Sequence, residues 1–206
     1  ACLLVLCGAF MGTESPLTVT QMLWINLIMD TFAAIALASL PPSRKVMEDK
    51  PRDRRASILT PTMRKDIIGV GLFFFFLLVA MLYIFEHGDY TSMRELFLNF
   101  QLGERDGLST YELTLLFTTF VMTHFFYLFN ARAFETGKSA LHFKGCQGLL
   151  VIVVVIFGGQ VLMVEIPMLQ DFFNVTGLKF EDWVIIIVGS SLVLWIREIW
   201  SLLKKI

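Results

Sequence analysis

The sequence predicts an all-α fold, a polytopic bundle of transmembrane helices. Three observations predict it. Of 206 residues, 56% are hydrophobic and only 17% are charged, well beyond the balance of an ordinary soluble domain. The apolar residues are collected into long runs that lack the charged face a soluble bundle requires. Lysine and arginine are concentrated in alternate loops between those runs, as the positive-inside rule expects.

The elements follow in order. Ala1–Gly12 is apolar, but twelve residues make only about 18 Å of helix, short of a hydrocarbon core of about 30 Å. We read it as the end of a helix whose start is missing, which makes the chain a fragment. It has neither the basic flank nor the cleavage site of a signal peptide. Leu17–Leu40 is the first complete span. Ile67–Phe85, with four consecutive phenylalanines at Phe73–Phe76, is the second, and Leu113–Phe129 is the third and the most polar inside. Leu149–Val164 and Trp183–Leu203 complete the set, each long enough to cross with some tilt.

Loop charge sets the orientation. Ser43–Lys65 holds eight Lys or Arg, His87–Thr110 two, Ala131–Cys146 three, Ile166–Asp182 one, and the tail three. The first, third and fifth of these regions are expected on the cytosolic side, which places the C-terminus there. The loop Glu86–Thr110 is acidic, but without EF-hand spacing it reads as a solvated loop. A net charge of −1 argues against a nucleic-acid partner; the expected surroundings are lipid. Cys2, Cys7 and Cys146 form no metal-ligand spacing, and Cys2 and Cys7 read as packing residues.

One pair of residues carries the functional expectation. Asn26 and Asp30 lie near the middle of the first complete span, four residues apart and so on one helix face. A carboxylate at that depth costs about 2.5–3.5 kcal/mol even on the lenient insertion scale, which makes it a functional-site hypothesis. An amide carbonyl and a carboxylate are hard oxygen donors, suited to Ca²⁺, Na⁺ or Mg²⁺ rather than copper or zinc. They offer three oxygens at most, whereas calcium takes six to eight. The remaining ligands must come from elsewhere. The alternative is that both residues are interhelical hydrogen-bond partners. His124 and Tyr127, three apart on the third span, are possible accessory residues. The competing reading there is a neutral histidine bonded to a neighbouring helix. The threonines of that span can satisfy themselves on their own backbone. No soluble catalytic motif, catalytic residue set or phosphate loop is present.

The run QMLWINLIMDTFAAIALASLPP, Gln21–Pro42, closely resembles the sixth membrane helix of the P-type calcium-transporting ATPases, the plasma-membrane type most of all. PPSRKVMEDKPR resembles the cytosolic loop that follows it, and FTTFVMTHFFYLFNAR, Phe117–Arg132, resembles the eighth helix. The resemblance covers residues 1–206 as one C-terminal membrane domain, from the end of helix five to helix ten. It implies that Asn26 and Asp30 bind transported calcium. It implies a multi-pass protein of the cell membrane whose remaining helices and cytosolic domains handle ATP and Mg²⁺. The reticulum-type pumps bind a second calcium through a Thr before that Asp and a Glu in helix eight. Met29 and His124 stand at those positions here, so one ion per cycle is implied. The rival readings are another P-type pump, for Na⁺, K⁺ or Mn²⁺, and a stand-alone membrane transporter or scaffold.

Overall fold

A computed structural model describes residues 1–12, 15–40, 57, 59–88, 90, 92–98, 107–133, 139–142 and 147–203, with backbone only at Met29, Asp30, Trp200, Ser201 and Leu202. The described residues are all-helical: α1 (Cys2–Met11), α2 (Val19–Asn26), a π-helical segment (Leu27–Ala33), α3 (Ala34–Ala38), α4 (Pro61–His87), α5 (Met93–Leu98), α6 (Thr110–Arg132), α7 (Gln147–Glu165), α8 (Pro167–Phe173) and α9 (Phe180–Leu203). Four stretches are long and apolar enough to cross a membrane: Val19–Ala38, α4, α6 and α7. The 24 residues of α9 give a rod of about 36 Å, also of spanning length.

Local chemistry sets the helix ends. α1 stops where Gly12 takes the left-handed conformation at φ 82°, which glycine enters without the steric cost of a Cβ. Thr60 caps α4 through a bond from the Met63 N–H, with Pro61 in the first turn. Ser109 and Glu112 form a reciprocal capping box at the start of α6, which satisfies two of the otherwise orphaned N–H groups.

α6 is the central post. Of its spanning window 78% is buried, against 22–31% for the other three. It packs chiefly on α9 and also on α4 and α7. Several of its polar groups find partners there, while buried Thr119 Oγ1 and Asn130 Oδ1 have none among the described residues. Thr114 and Thr123 donate to the carbonyls of Thr110 and Thr119, Asn130 donates to the Val193 carbonyl of α9 at 3.0 Å, and the Thr176 N–H donates to Thr114. The lipid-facing side is apolar, with Phe76, Val154 and Val188 more than half exposed.

Two expectations change. The first complete span is not one continuous α-helix, because a π segment interrupts it at Leu27–Ala33. Nor is the loop after α4 wholly solvated: Tyr90 and Met93 are buried and α5 docks on α9. The basic residues Arg44, Lys45, Lys50, Arg52, Arg54 and Arg55 lie outside the described residues. So do Arg105, Lys138, Lys144, Lys204, Lys205, the loop acids Asp89, Glu104 and Asp106, and Cys146.

Candidate functional site

The site is built from the α2–π–α3 rod and what holds it. Thr18 caps α2 by accepting the Gln21 N–H at 3.3 Å, and Gln21 Oε1 accepts the Thr18 N–H at 3.1 Å. The other end of the same amide, Nε2, donates to the Phe173 carbonyl at 3.0 Å. Gln21 is 1% exposed; one side chain thus closes the helix start and ties it to the end of α8.

One turn on, Trp24 lies edge-on to Phe173 with ring centroids 6.0 Å apart. Its indole N–H donates to Gln160 Oε1 of α7 at 3.0 Å, and Gln160 Nε2 donates to the Thr118 hydroxyl of α6 at 3.4 Å. Gln160 and Thr118 are both fully buried. The indole is a donor only, so the carbonyl end of Gln160 must be the end that faces it. Gly159, next to Gln160, gives the ring its room, because a Cβ there would stand 2.7 Å from the indole edge.

Asn26 follows. It closes α2 in helical geometry at φ −63°, ψ −41° and its side chain is exposed, on the side away from buried Ile25 and Ile28. Immediately after it the backbone widens into the π segment, which runs through Asp30 to Ala33. Gln21, Ile25, Ile28, Ala33 and Ala36 are the buried positions among the rod's described side chains. The segment Leu27–Ala33 takes the i→i+5 repeat of π turns. Such turns are rare and occur frequently at functional sites. The Asp30 side chain lies outside the description; its backbone stands in the middle of that segment.

His124 and Tyr127 come together, but on α4. The His124 ring stacks on Phe120 at 4.4 Å and meets Phe74 of α4 at 5.1 Å, and Tyr127 meets the same Phe74 edge-on at 5.6 Å. His124 Nδ1–H donates to the Phe120 carbonyl at 2.9 Å. The competing reading expected a bond to a neighbouring helix, but this bond stays within α6. Within the spans, Gly69, Gly71 and Gly158 face open space, whereas Gly159 lies against Trp24 of α2. Among the described residues no group of three His, Cys, Asp or Glu could hold a metal ion.

Trp24 and Gln160 escaped sequence reasoning, and Thr118, expected to bond its own backbone, accepts a bond from Gln160 of α7. The available signal was the single amide, Gln160, within the otherwise apolar run Leu149–Val164. A polar side chain there needs a partner on another helix.

A family model described as "Cation transporting ATPase, C-terminus" matches residues 14–203. The chain is 31% identical over 191 residues to plasma membrane calcium-transporting ATPase 2 of Oreochromis mossambicus, covering 91% of this chain and 16% of that protein. It is 31% identical over 195 residues to plasma membrane calcium-transporting ATPase 4 of Homo sapiens, with 91% and 15% covered. It is 32% identical over 199 residues to plasma membrane calcium-transporting ATPase mca-1 of Caenorhabditis elegans, with 91% and 14% covered. The chain therefore spans about a sixth of the length of the curated relatives it matches.

Proposed function

Since the chain belongs to the cation-transporting ATPases, as their C-terminal membrane region, we propose that it is the membrane part of an ATP-driven calcium pump and supplies half of one calcium transport site. In this reading Asn26 and Asp30 are direct ligands of the transported ion. The observation that carries it is the π segment Leu27–Ala33, which begins directly after Asn26 and contains Asp30. Where i→i+4 bonding gives way to i→i+5 bonding, a backbone carbonyl is left without a ladder partner, and hard cations take carbonyl oxygens readily. Carbonyl groups of the rod can therefore supplement the two side chains. The exposed side of Asn26 is where ligands from the pump's remaining helices complete the shell.

The relatives' names say that they transport calcium across the plasma membrane, which supports both the ion and a multi-pass location there, with the C-terminus cytosolic by loop charge. ATP and Mg²⁺ are handled by parts of the pump beyond these residues. His124 offers a nitrogen rather than a hard oxygen, and its Nδ1–H is already engaged with Phe120; Met29 offers only a thioether. One calcium per cycle follows.

The test is Asp30→Asn in the complete pump. It should abolish calcium-dependent phosphorylation by ATP. Undiminished phosphoenzyme at low calcium would refute the assignment.

A further inference from the structure

Two consecutive residues of α7 are shaped around one side chain of the ion-site rod. Gly159 leaves space for the Trp24 ring, which a Cβ would invade at 2.7 and 2.9 Å. Gln160 supplies the acceptor that the indole N–H needs at 3.0 Å. The amide is anchored behind by its bond to Thr118 of α6, the most enclosed helix of the bundle. Gln160 and Thr118 are 0% exposed. Neither end of the amide can turn to water, so the three groups hold one arrangement.

The location of this relay gives it a role. Trp24 stands two residues before Asn26 and three before the first residue of the π segment. On the other side, Gln21 fixes the start of α2 to the Phe173 carbonyl. α2 is thus held at both of its turns, and the backbone widens directly beyond the second hold. The π segment continues directly from the last residue of α2, so its rotation starts from that helix. The phase in which Asn26 and Asp30 leave α2 is therefore set by the last fixed residue before it.

We infer that Gln160 is a positioning residue of the transport site: through Trp24 it fixes the rotation of α2, and so the angle at which Asn26 and the π segment present their oxygens to the transported cation. This rests on the calcium reading above. It adds a residue of α7 that touches no ion, and it requires the Trp24–Gln160 bond to act as one unit.

The test uses the complete pump and follows calcium-dependent ATP hydrolysis at matched membrane expression. Trp24→Phe removes the N–H but keeps an aromatic ring; Gln160→Leu removes the acceptor. Each should raise the calcium concentration for half-maximal rate about threefold, and at most about twentyfold, the range that interhelical hydrogen bonds in membranes provide. The rate at saturating calcium should stay within about twofold, because a restored ion load completes the cycle. The double variant should be no worse than the more severe single one, since both remove the same bond. Gly159→Ala should shift calcium dependence in the same direction while leaving every polar group in place. Unchanged half-saturation in both single variants overturns the inference, as do a fall in maximal rate alone and additive effects in the double variant. Asp30→Asn separates the two proposals. If it abolishes calcium dependence while Trp24→Phe and Gln160→Leu leave half-saturation unmoved, only the positioning role falls. If it leaves calcium dependence intact, both fall.

Discussion

Asp182, at the start of α9, accepts the backbone N–H of Met93 at 2.6 Å, across 89 positions of sequence. The same carboxylate receives the Tyr111 hydroxyl, and Tyr111 in turn accepts the Lys179 N–H at 3.2 Å. Asp182 is 0% exposed. One acid thus joins α5, α6 and α9 at one end of the bundle. Asp182→Ala strands the Met93 N–H and the Tyr111 hydroxyl, and should cost roughly 3 kcal/mol, since bonds to charged acceptors contribute about 1.5–3 kcal/mol each and stranded partners cost more. The adjacent Arg94–Glu181 pair, 3.5 Å apart with side chains 64% and 60% exposed, should contribute less than about 1 kcal/mol because solvent screens it. Heating detergent-solubilised protein and following its monodisperse fraction should therefore separate Asp182→Ala sharply from Glu181→Ala. Equal losses would contradict the assignment.

Glu112 performs a similar task one helix away. It is 0% exposed and accepts the Tyr90 N–H at 3.3 Å, the Ser109 N–H at 2.8 Å and the Ser109 hydroxyl at 2.8 Å. Glu112→Gln keeps one carbonyl oxygen and should cost about 1 kcal/mol. Glu112→Ala removes both the cap and the loop anchor and should cost about 2–3 kcal/mol. The second variant should also speed proteolysis between α4 and α6, which limited digestion would detect; equal cleavage in both variants would count against this role.

The fold was legible because the bilayer leaves few options. Apolar runs such as Ile67–Phe85 must be helices, as the backbone has no water to bond with. The rod around Asp30 was harder to read. Its sequence, NLIMDTFA, has no Gly or Pro to announce a break, yet its backbone turns π-helical at Leu27–Ala33. That widening depends on what packs against the rod, which no local pattern encodes. The pairing of Trp24 with Gln160 was hidden for a related reason: 136 positions separate them. His124 and Tyr127 were correctly read as sharing a face, but sequence spacing could not say that the face belongs to Phe74.

The proposed stoichiometry of one ion rests on the residue types at positions 29 and 124. Met29 precedes Asp30, and His124 turns its Nδ1–H to the Phe120 carbonyl. Neither supplies the hard oxygens of a second calcium shell. Equilibrium binding of ⁴⁵Ca to the complete pump, normalised to the maximal phosphoenzyme level, should give one ion per site. A value of two would mean that oxygens from other helices build a second shell without these residues.

The π segment offers a sharper test, because its geometry can be removed while its chemistry is kept. An i→i+5 turn takes in one more residue than an α turn. Thr31 follows Asp30, lies inside the π segment and is exposed. Deleting it leaves Asn26 and Asp30 four apart and brings Ala33 to four residues after Ile28, the ordinary α repeat of the buried face. The rod can then close as one continuous helix from Val19 to Ala38 without losing Ile25, Ile28 or Ala36 from the packed side. The shortened protein should keep its helical circular dichroism and its thermal stability, since regular i→i+4 bonds replace the wider ones. It should lose calcium-dependent phosphorylation, because the carbonyls return to the ladder and both site residues keep an α-helical phase. Retained calcium dependence with a continuous helix would show that the widened turn has no part in holding the ion.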